Sequence, residues 1–341
     1  MPTSQRAKDA LTLVSSLQSR FVEGLEKIAS QFGDPVTFEL TEWHRDAGTH
    51  GGGSRYSAPE CTFFNRGSVN VSQIHYGDLP DKKLDSATAI STIIHPANPH
   101  SPSVHIHISW TEMKDGKGYW RIMADLNPSV VHEEYRDAFT DTMRSAAPDQ
   151  YEEASAQGDR YFFIPALGRH RGVTHFYLES YFTNDPDADH ALADTFGKAV
   201  IDSYLDILTR ASTDYPDYDE EAKSTQIAYH TLYLFQVLTL DRGTTSGLLV
   251  HDQNDLGIMG SLPAEIDHDL LASWNEKVEE PQQDLVRGLA DAFTGSGVVP
   301  VTDEAKLRLA STVREFYQSK PEALSLQAAG NTIPPTVDNH R

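Results

Sequence analysis

The segment Thr88-Ala-Ile-Ser-Thr-Ile-Ile-His95-Pro-Ala-Asn-Pro-His100-Ser-Pro-Ser-Val-His105-Ile-His107-Ile-Ser-Trp110 sets two β-rich runs either side of a turn dense in proline. Residues 88–94 and 103–110 are rich in β-branched residues, and Pro96, Asn98, Pro99 and Pro102 punctuate the chain between them. That combination predicts two strands joined by a rigid turn. Outward from this pair, residues 36–43, 69–76, 119–124 and 173–178 also read as strands separated by Gly, Pro, Asn and Asp. Residues 232–240 are apolar and β-rich and are expected to form another strand, with 246–251 as its hairpin partner.

Helical spacing takes over at both ends. Leu11, Val14, Leu17, Phe21, Leu25 and Ile28 predict one amphipathic helix over 4–32, stopped by Gly33. Residues 131–146, 150–163 and 189–211 are expected to be helical, as are 267–274, 282–293 and 304–319. Adjacent strands flanked by helices predict an α+β fold, with a mostly antiparallel sheet covered by helices. With no repeat and no linker, residues 1–330 read as one domain, and 331–341 as a frayed tail.

The 341 residues are 39% hydrophobic and 23% charged, as expected of a globular chain with a real core. The net charge of −22 repels phosphate backbones and argues against nucleic acid as a partner. It also means that an anionic substrate needs a local arginine cluster. Cys61 is the sole cysteine, which excludes an intrachain disulfide. No apolar run is long enough to span a membrane, and the first residues carry no export signal, so a cytoplasmic protein is expected.

On a strand, residues two apart share a face, so His105 and His107 present two imidazoles side by side. The proline-rich turn can return His95 beside them. Three imidazoles together would suit iron, copper, zinc or manganese, with Asp125 nearby. The same histidines could instead sit on a solvated sheet face or bond within a core. Gly51-Gly52-Gly53-Ser54-Arg55 reads as a flexible loop or an anion cradle, without the ending of a nucleotide-binding loop. Asp241-Arg242-Gly243-Thr244 places a charge pair at the end of the expected 232–240 strand.

These segments, in this order, resemble the oxygen-dependent coproporphyrinogen III oxidases. The likeness is carried by Gly51–Arg55, Val69-Asn70-Val71-Ser72, His95-Pro96-Ala97-Asn98-Pro99-His100, Asp125-Leu126-Asn127-Pro128, Arg171-Gly172 and Asp241-Arg242-Gly243-Thr244, across roughly residues 40–265. The resemblance implies a large, flat antiparallel sheet sandwiched between helices, in a homodimer. It implies oxidative decarboxylation of two propionates of a tetrapyrrole to vinyl groups by molecular oxygen, with no organic cofactor. By carry-over His105 is the proton donor, Ser91 touches substrate, Asp241 lies near the pyrrole N–H groups with Arg242 beside it, and Asp125 and Arg171 support the pocket. His95 matches a metal ligand proposed in some members.

The departures fall in the pocket. Ser109 stands where the family has a carboxylate-binding arginine and is carried as a substrate-contact position. The family's Trp-Trp-Phe-Gly-Gly-Gly run becomes Tyr119-Trp120-Arg121-Ile122-Met123-Ala124, and its Arg-Arg-Gly-Arg-Tyr becomes Tyr229-His230-Thr231-Leu232-Tyr233. Arg55, Arg66, Arg169, Arg171 and Arg242 remain to bind fewer carboxylates. Three functions follow as expectations: an oxygen-dependent oxidative decarboxylase on a tetrapyrrole or smaller carboxylate; a metal-dependent oxidase or oxygenase using His95, His105 and His107; and a non-catalytic homologue that binds a tetrapyrrole or a partner.

Overall fold

The computed structural model describes residues 2, 4–33, 35–59, 61–251, 253–333 and 337. Helix α1 (Gln5–Phe32) opens the chain; the Ser4 hydroxyl accepts the Ala7 N–H at its start, and Gly33 ends it. Six strands follow: β1 (Glu39–His44), β2 (Gly51–Ser57), β3 (Phe64–His75), β4 (Leu84–Pro96), β5 (Ser103–Met113) and β6 (Gly118–Asn127). Then come α2 (Glu133–Ala146), α3 (Tyr151–Phe162), the short pair β7 (Phe163–Ile164) and β8 (Arg169–His170), and β9 (Thr174–Tyr181). The remainder is helical apart from a second short pair: α4 (Pro186–Asp214), α5 (Glu220–Thr239), α6 (Arg242–Val250), α7 (Asp255–Ile258), β10 (Glu265–Asp267), α8 (His268–Ser273), α9 (Gln282–Asp291), β11 (Val298–Pro300) and α10 (Asp303–Ser319).

The main sheet has seven strands in the order β1-β2-β3-β4-β5-β6-β9, and every neighbouring pair is antiparallel. The expected α+β architecture is therefore what the chain adopts. Strand alternation divides its side chains between two cores. Ile90, Ile94, Val104, Ile106, Ile108, Ile122, Ala124, Leu126, Phe176 and Leu178 are buried with the apolar faces of α1, α2 and α4. A second cluster, built mainly from α5, α8, α9 and α10, takes Ile93 from the opposite face. The cleft described below opens on that opposite face.

Two readings of the sequence are corrected. Residues 232–240 are not a strand with 246–251 as a hairpin partner; they are the end of α5 and most of α6. From Tyr229 to Thr239 every residue of α5 is buried, so no polar stripe exists to reveal a helical period. An all-round apolar segment has the same pattern in a buried helix and a buried strand. The glycine-rich Gly51–Arg55 run is not a loop but part of β2, between β1 and β3. Its glycines are there because the neighbouring backbones come too close for a side chain. A Cβ on Gly52 would enter the Trp43 carbonyl, and one on Gly53 would lie 2.7 Å from the Trp43 indole nitrogen.

Most of the expected 331–341 tail lies outside the described residues. Just before it, the Ala328 N–H donates to the Leu240 carbonyl at 3.0 Å. Among the described residues no helix is long and apolar enough to cross a membrane.

Gly52→Ala is expected to lower the unfolding free energy by about 1–3 kcal/mol through overpacking. Urea unfolding of the two proteins checks this; an unchanged midpoint would show that β1 and β2 can move apart at no cost.

Candidate active site

Because the pairing registers align, residues far apart in sequence fall into rows across the sheet. One row reads Ile93, His105, Asp125, His175; the next reads Ser91, His107, Met123, Tyr177. A third places Ala89, Ser109 and Arg121 side by side. Ser91, His105, His107, Arg121 and Met123 floor a cleft of about 300 Å³. Tyr233, Val237, Asp241, Thr244, His251 and Ser261 form its facing wall. The volume is at the low end of the roughly 300–1,000 Å³ usual for ligand sites.

A charge chain runs down from the floor. The His105 imidazole meets Asp125 with Nδ1 to Oδ1 at 2.7 Å. The other Asp125 oxygen accepts from Arg171 at 2.8 Å and from the Asn127 amide at 2.6 Å. Asp125 is fully buried and Arg171 is 2% exposed. Burial alone would push the Asp125 carboxyl up, but the Arg171 guanidinium, His105 and Asn127 outweigh it and hold it well below the usual carboxylate range. Arg171 is itself fixed, donating to Gln236 Oε1 at 2.8 Å and lying over the Phe162 and Tyr233 rings. With Nδ1 committed to a permanent anion, His105 is left with Nε2 for the cleft.

Asp241 stands at the junction of α5 and α6. Its Oδ2 accepts the Thr244 N–H at 2.7 Å as the helix cap, and its Oδ1 accepts the Tyr161 hydroxyl at 2.8 Å. The Asp-Arg-Gly-Thr segment is therefore a helix N-cap following a helix, not the end of a strand. Arg242 points elsewhere: it donates to the Ala328 carbonyl at 2.6 Å and the Gln327 carbonyl at 3.2 Å. Ser91 does lie on the cleft floor. Arg55 lies on β2 outside the cleft lining, with Nε donating to Ser57 at 3.3 Å. Ser109 is buried beneath the cleft, its hydroxyl on His107 Nε2 at 3.1 Å.

The three histidines do not converge into a metal site. His95 is fully buried, with Nδ1 on the Ser103 hydroxyl at 2.9 Å and Nε2 on the Ser261 carbonyl at 3.3 Å. Both of its ring nitrogens are thus occupied, and its ring packs against His230 and Tyr233. Among the described residues no three His, Cys, Asp or Glu side chains are placed to share an ion. His105 and His107 do share a face, as the alternation predicted, but each already has a protein partner. These residues do not fit a three-histidine centre.

The sequence reading missed Tyr161 and Tyr233, which entered the site from helices, one of them mistaken for a strand. It also passed over Arg121 as a site residue, although 121, 123 and 125 share parity on one strand.

Burial drives the His95 imidazole down to about 3. A histidine whose folded value lies below its unfolded one binds protons preferentially when unfolded. Its stability contribution is therefore complete above about pH 6.5 and is lost as pH falls from there towards 3. His95→Gln should show a shallower loss of stability between pH 6.5 and 4 than the parent, the parent losing up to about 1.4 kcal/mol more per pH unit. Parallel slopes in urea titrations at several pH values would count against neutral burial of His95.

A family model described as coproporphyrinogen III oxidase matches residues 10–291. The mitochondrial oxygen-dependent coproporphyrinogen-III oxidase of Rattus norvegicus is 28% identical over 279 residues, covering 74% of this chain and 60% of the rat protein. The Homo sapiens counterpart is 25% identical over the same coverage. An oxygen-dependent coproporphyrinogen-III oxidase from Prochlorococcus marinus is 25% identical over 333 residues, covering 86% of this chain and 92% of that protein. The chain thus spans about 60% of the length of the mammalian relatives. With most of its length inside the matched region, this chain belongs to the coproporphyrinogen III oxidase family.

Proposed function

We propose that this protein is an oxygen-dependent oxidative decarboxylase that converts a pyrrole-borne propionate to a vinyl group, with coproporphyrinogen III as the first substrate to test. The observation that carries the reading is the His105–Asp125–Arg171 chain ending in a cleft whose opposite wall presents Asp241. The relatives' names and the family match support it. The family resemblance adds a homodimer to this proposal, and the sequence's lack of a membrane-spanning run or export signal adds a cytoplasmic location.

The chemistry must balance. A propionate arm, –CH2–CH2–COO⁻, that becomes –CH=CH2 releases CO2 and the equivalent of a hydride. Molecular oxygen takes the two electrons and, with that hydrogen and one further proton, becomes hydrogen peroxide. The protein's part is binding and proton management. Asp241 is an acceptor suited to pyrrole N–H donors. His105 holds or delivers a proton at Nε2, and the buried Asp125 carboxylate stabilises the charged imidazole while Arg171 keeps Asp125 ionised. No organic cofactor enters this scheme.

The test is to supply purified protein with coproporphyrinogen III in air and follow oxygen uptake together with vinyl product. Turnover is expected in the parent, and His105→Ala should reduce kcat by about 10²–10⁴-fold. Absence of product from correctly folded parent protein would overturn the proposal.

A further inference from the structure

Among the described residues, two arginines line the cleft, Arg121 and Arg171. They are not equivalent. Arg171 is enclosed: its terminal nitrogens donate to Asp125 and Gln236, and two aromatic rings cover its faces. Arg121 is anchored at one point and open at the rest. Its Nε donates to Glu179 at 2.6 Å, the Glu179 side chain is fully buried, and the Arg121 side chain keeps 17% of its exposure. Tyr177 donates to the same carboxylate oxygen. No hydrogen bond within the protein engages the two terminal nitrogens of Arg121 among the described residues. Glu179 and Tyr177 therefore act as a fixed mount that aims a guanidinium fork into the cleft. A fork pre-positioned in this way loses little freedom when it takes a carboxylate in a two-point bond.

Its place in the sheet adds a second argument. Arg121 is the direct cross-strand partner of Ser109. Ser109 is small and buried, so it leaves the space above β5 for a neighbouring side chain. An arginine on β5 and an arginine at the facing position on β6 would stand on the same sheet face, within one strand spacing of roughly 5 Å. The cation absent from position 109 is thus present at 121, delivered from the adjacent strand. Position 121 is four residues along β6 from Asp125, or roughly 13 Å of strand. It marks the far end of the cleft floor from His105.

We propose that Arg121 is the carboxylate anchor of this cleft: it grips a non-reacting carboxylate of the substrate while another carboxylate-bearing arm lies at His105. This rests on the decarboxylase reading above and narrows it. The substrate class is an oligopyrrole with at least two carboxylates set apart along the cleft. A pyrrole bearing one propionate has nothing to offer Arg121 once its only carboxylate is at His105.

Equilibrium binding tests this without turnover. Coproporphyrin III, the oxidised and unreactive macrocycle, is titrated by its own fluorescence against the parent protein, Arg121→Lys, and the double variant Arg121→Gln/Glu179→Gln. The double variant removes both charges together, so no buried carboxylate is stranded. The neutral tetra-amide of the same porphyrin serves as the uncharged control. The parent should bind the acid at least tenfold more tightly than the amide, and the double variant should lose that preference. Arg121→Lys, which keeps the charge but not the fork, should fall between them. The proposal is overturned if the parent binds acid and amide alike. It is equally overturned if a double variant with the parent's melting temperature keeps the preference, and, should the double variant not fold, if Arg121→Lys binds the acid as the parent does. Oxygen uptake is read separately on the same proteins. Acid binding that depends on Arg121 without any oxygen uptake would remove the decarboxylase reading and leave the anchor. Uptake with an unchanged KM in a folded Arg121 variant would do the reverse.

Discussion

The buried carboxylate of Asp125 is the point on which this structure turns. It sits with no exposure between a guanidinium, an amide and an imidazole, each within hydrogen-bond distance. An unpaired anion at that depth would be expelled or protonated. Paired as it is, it commits three separate parts of the chain: β5 through His105, β6 through its own strand, and the segment after β8 through Arg171. Arg171 then reaches Gln236 on α5, so the helical layer is tied to the sheet through the same charge. Removing one member would strand the other, which in buried pairs costs about 3–5 kcal/mol. Stability and the proposed chemistry thus draw on the same contacts.

Strand alternation turns that centre into a site. Odd-numbered residues of β4, β5 and β6 face the cleft, and even-numbered ones join the core under α1 and α4. One face carries Ile90, Ile94, Val104, Ile106, Ile108, Ile122 and Leu126. The other carries Ser91, His105, His107, Arg121 and Asp125. Such a polar face cannot be packed against apolar helices at no cost, and the cleft exists where α5, α6 and α7 stand over it. The facing helices supply the complementary groups from their ends and flanks: Asp241 from a helix cap, Tyr233 from a helix side.

The motif resemblance implies a pocket richer in arginine than this cleft, which among the described residues is lined by Arg121 and Arg171. Its two cations each have a buried carboxylate partner, and Asp241 adds a further anion. Little unpaired positive charge remains for a many-anion substrate, within a chain whose net charge is already −22. Membership of the family therefore coexists with a cleft that holds few arginines.

Much of this was legible in the chain itself. The 2.0-residue period of β5 placed His105 and His107 on one face, and the 3.6-residue period of α1 marked its buried stripe, because each depends only on local geometry repeated along an element. The order of the motifs pointed to the family for the same reason: it is a property of sequence. What the chain could not say was which histidine nitrogen meets which partner. His95 adjoins the turn that promised a metal site, yet its nitrogens go to Ser103 and Ser261, the latter 166 residues away. The buried helix α5 hid its period, and Gly51–Gly53 are required by backbones brought together only by pairing. Those outcomes rest on contacts between distant segments, and they depend on burial and register that no single stretch of sequence contains.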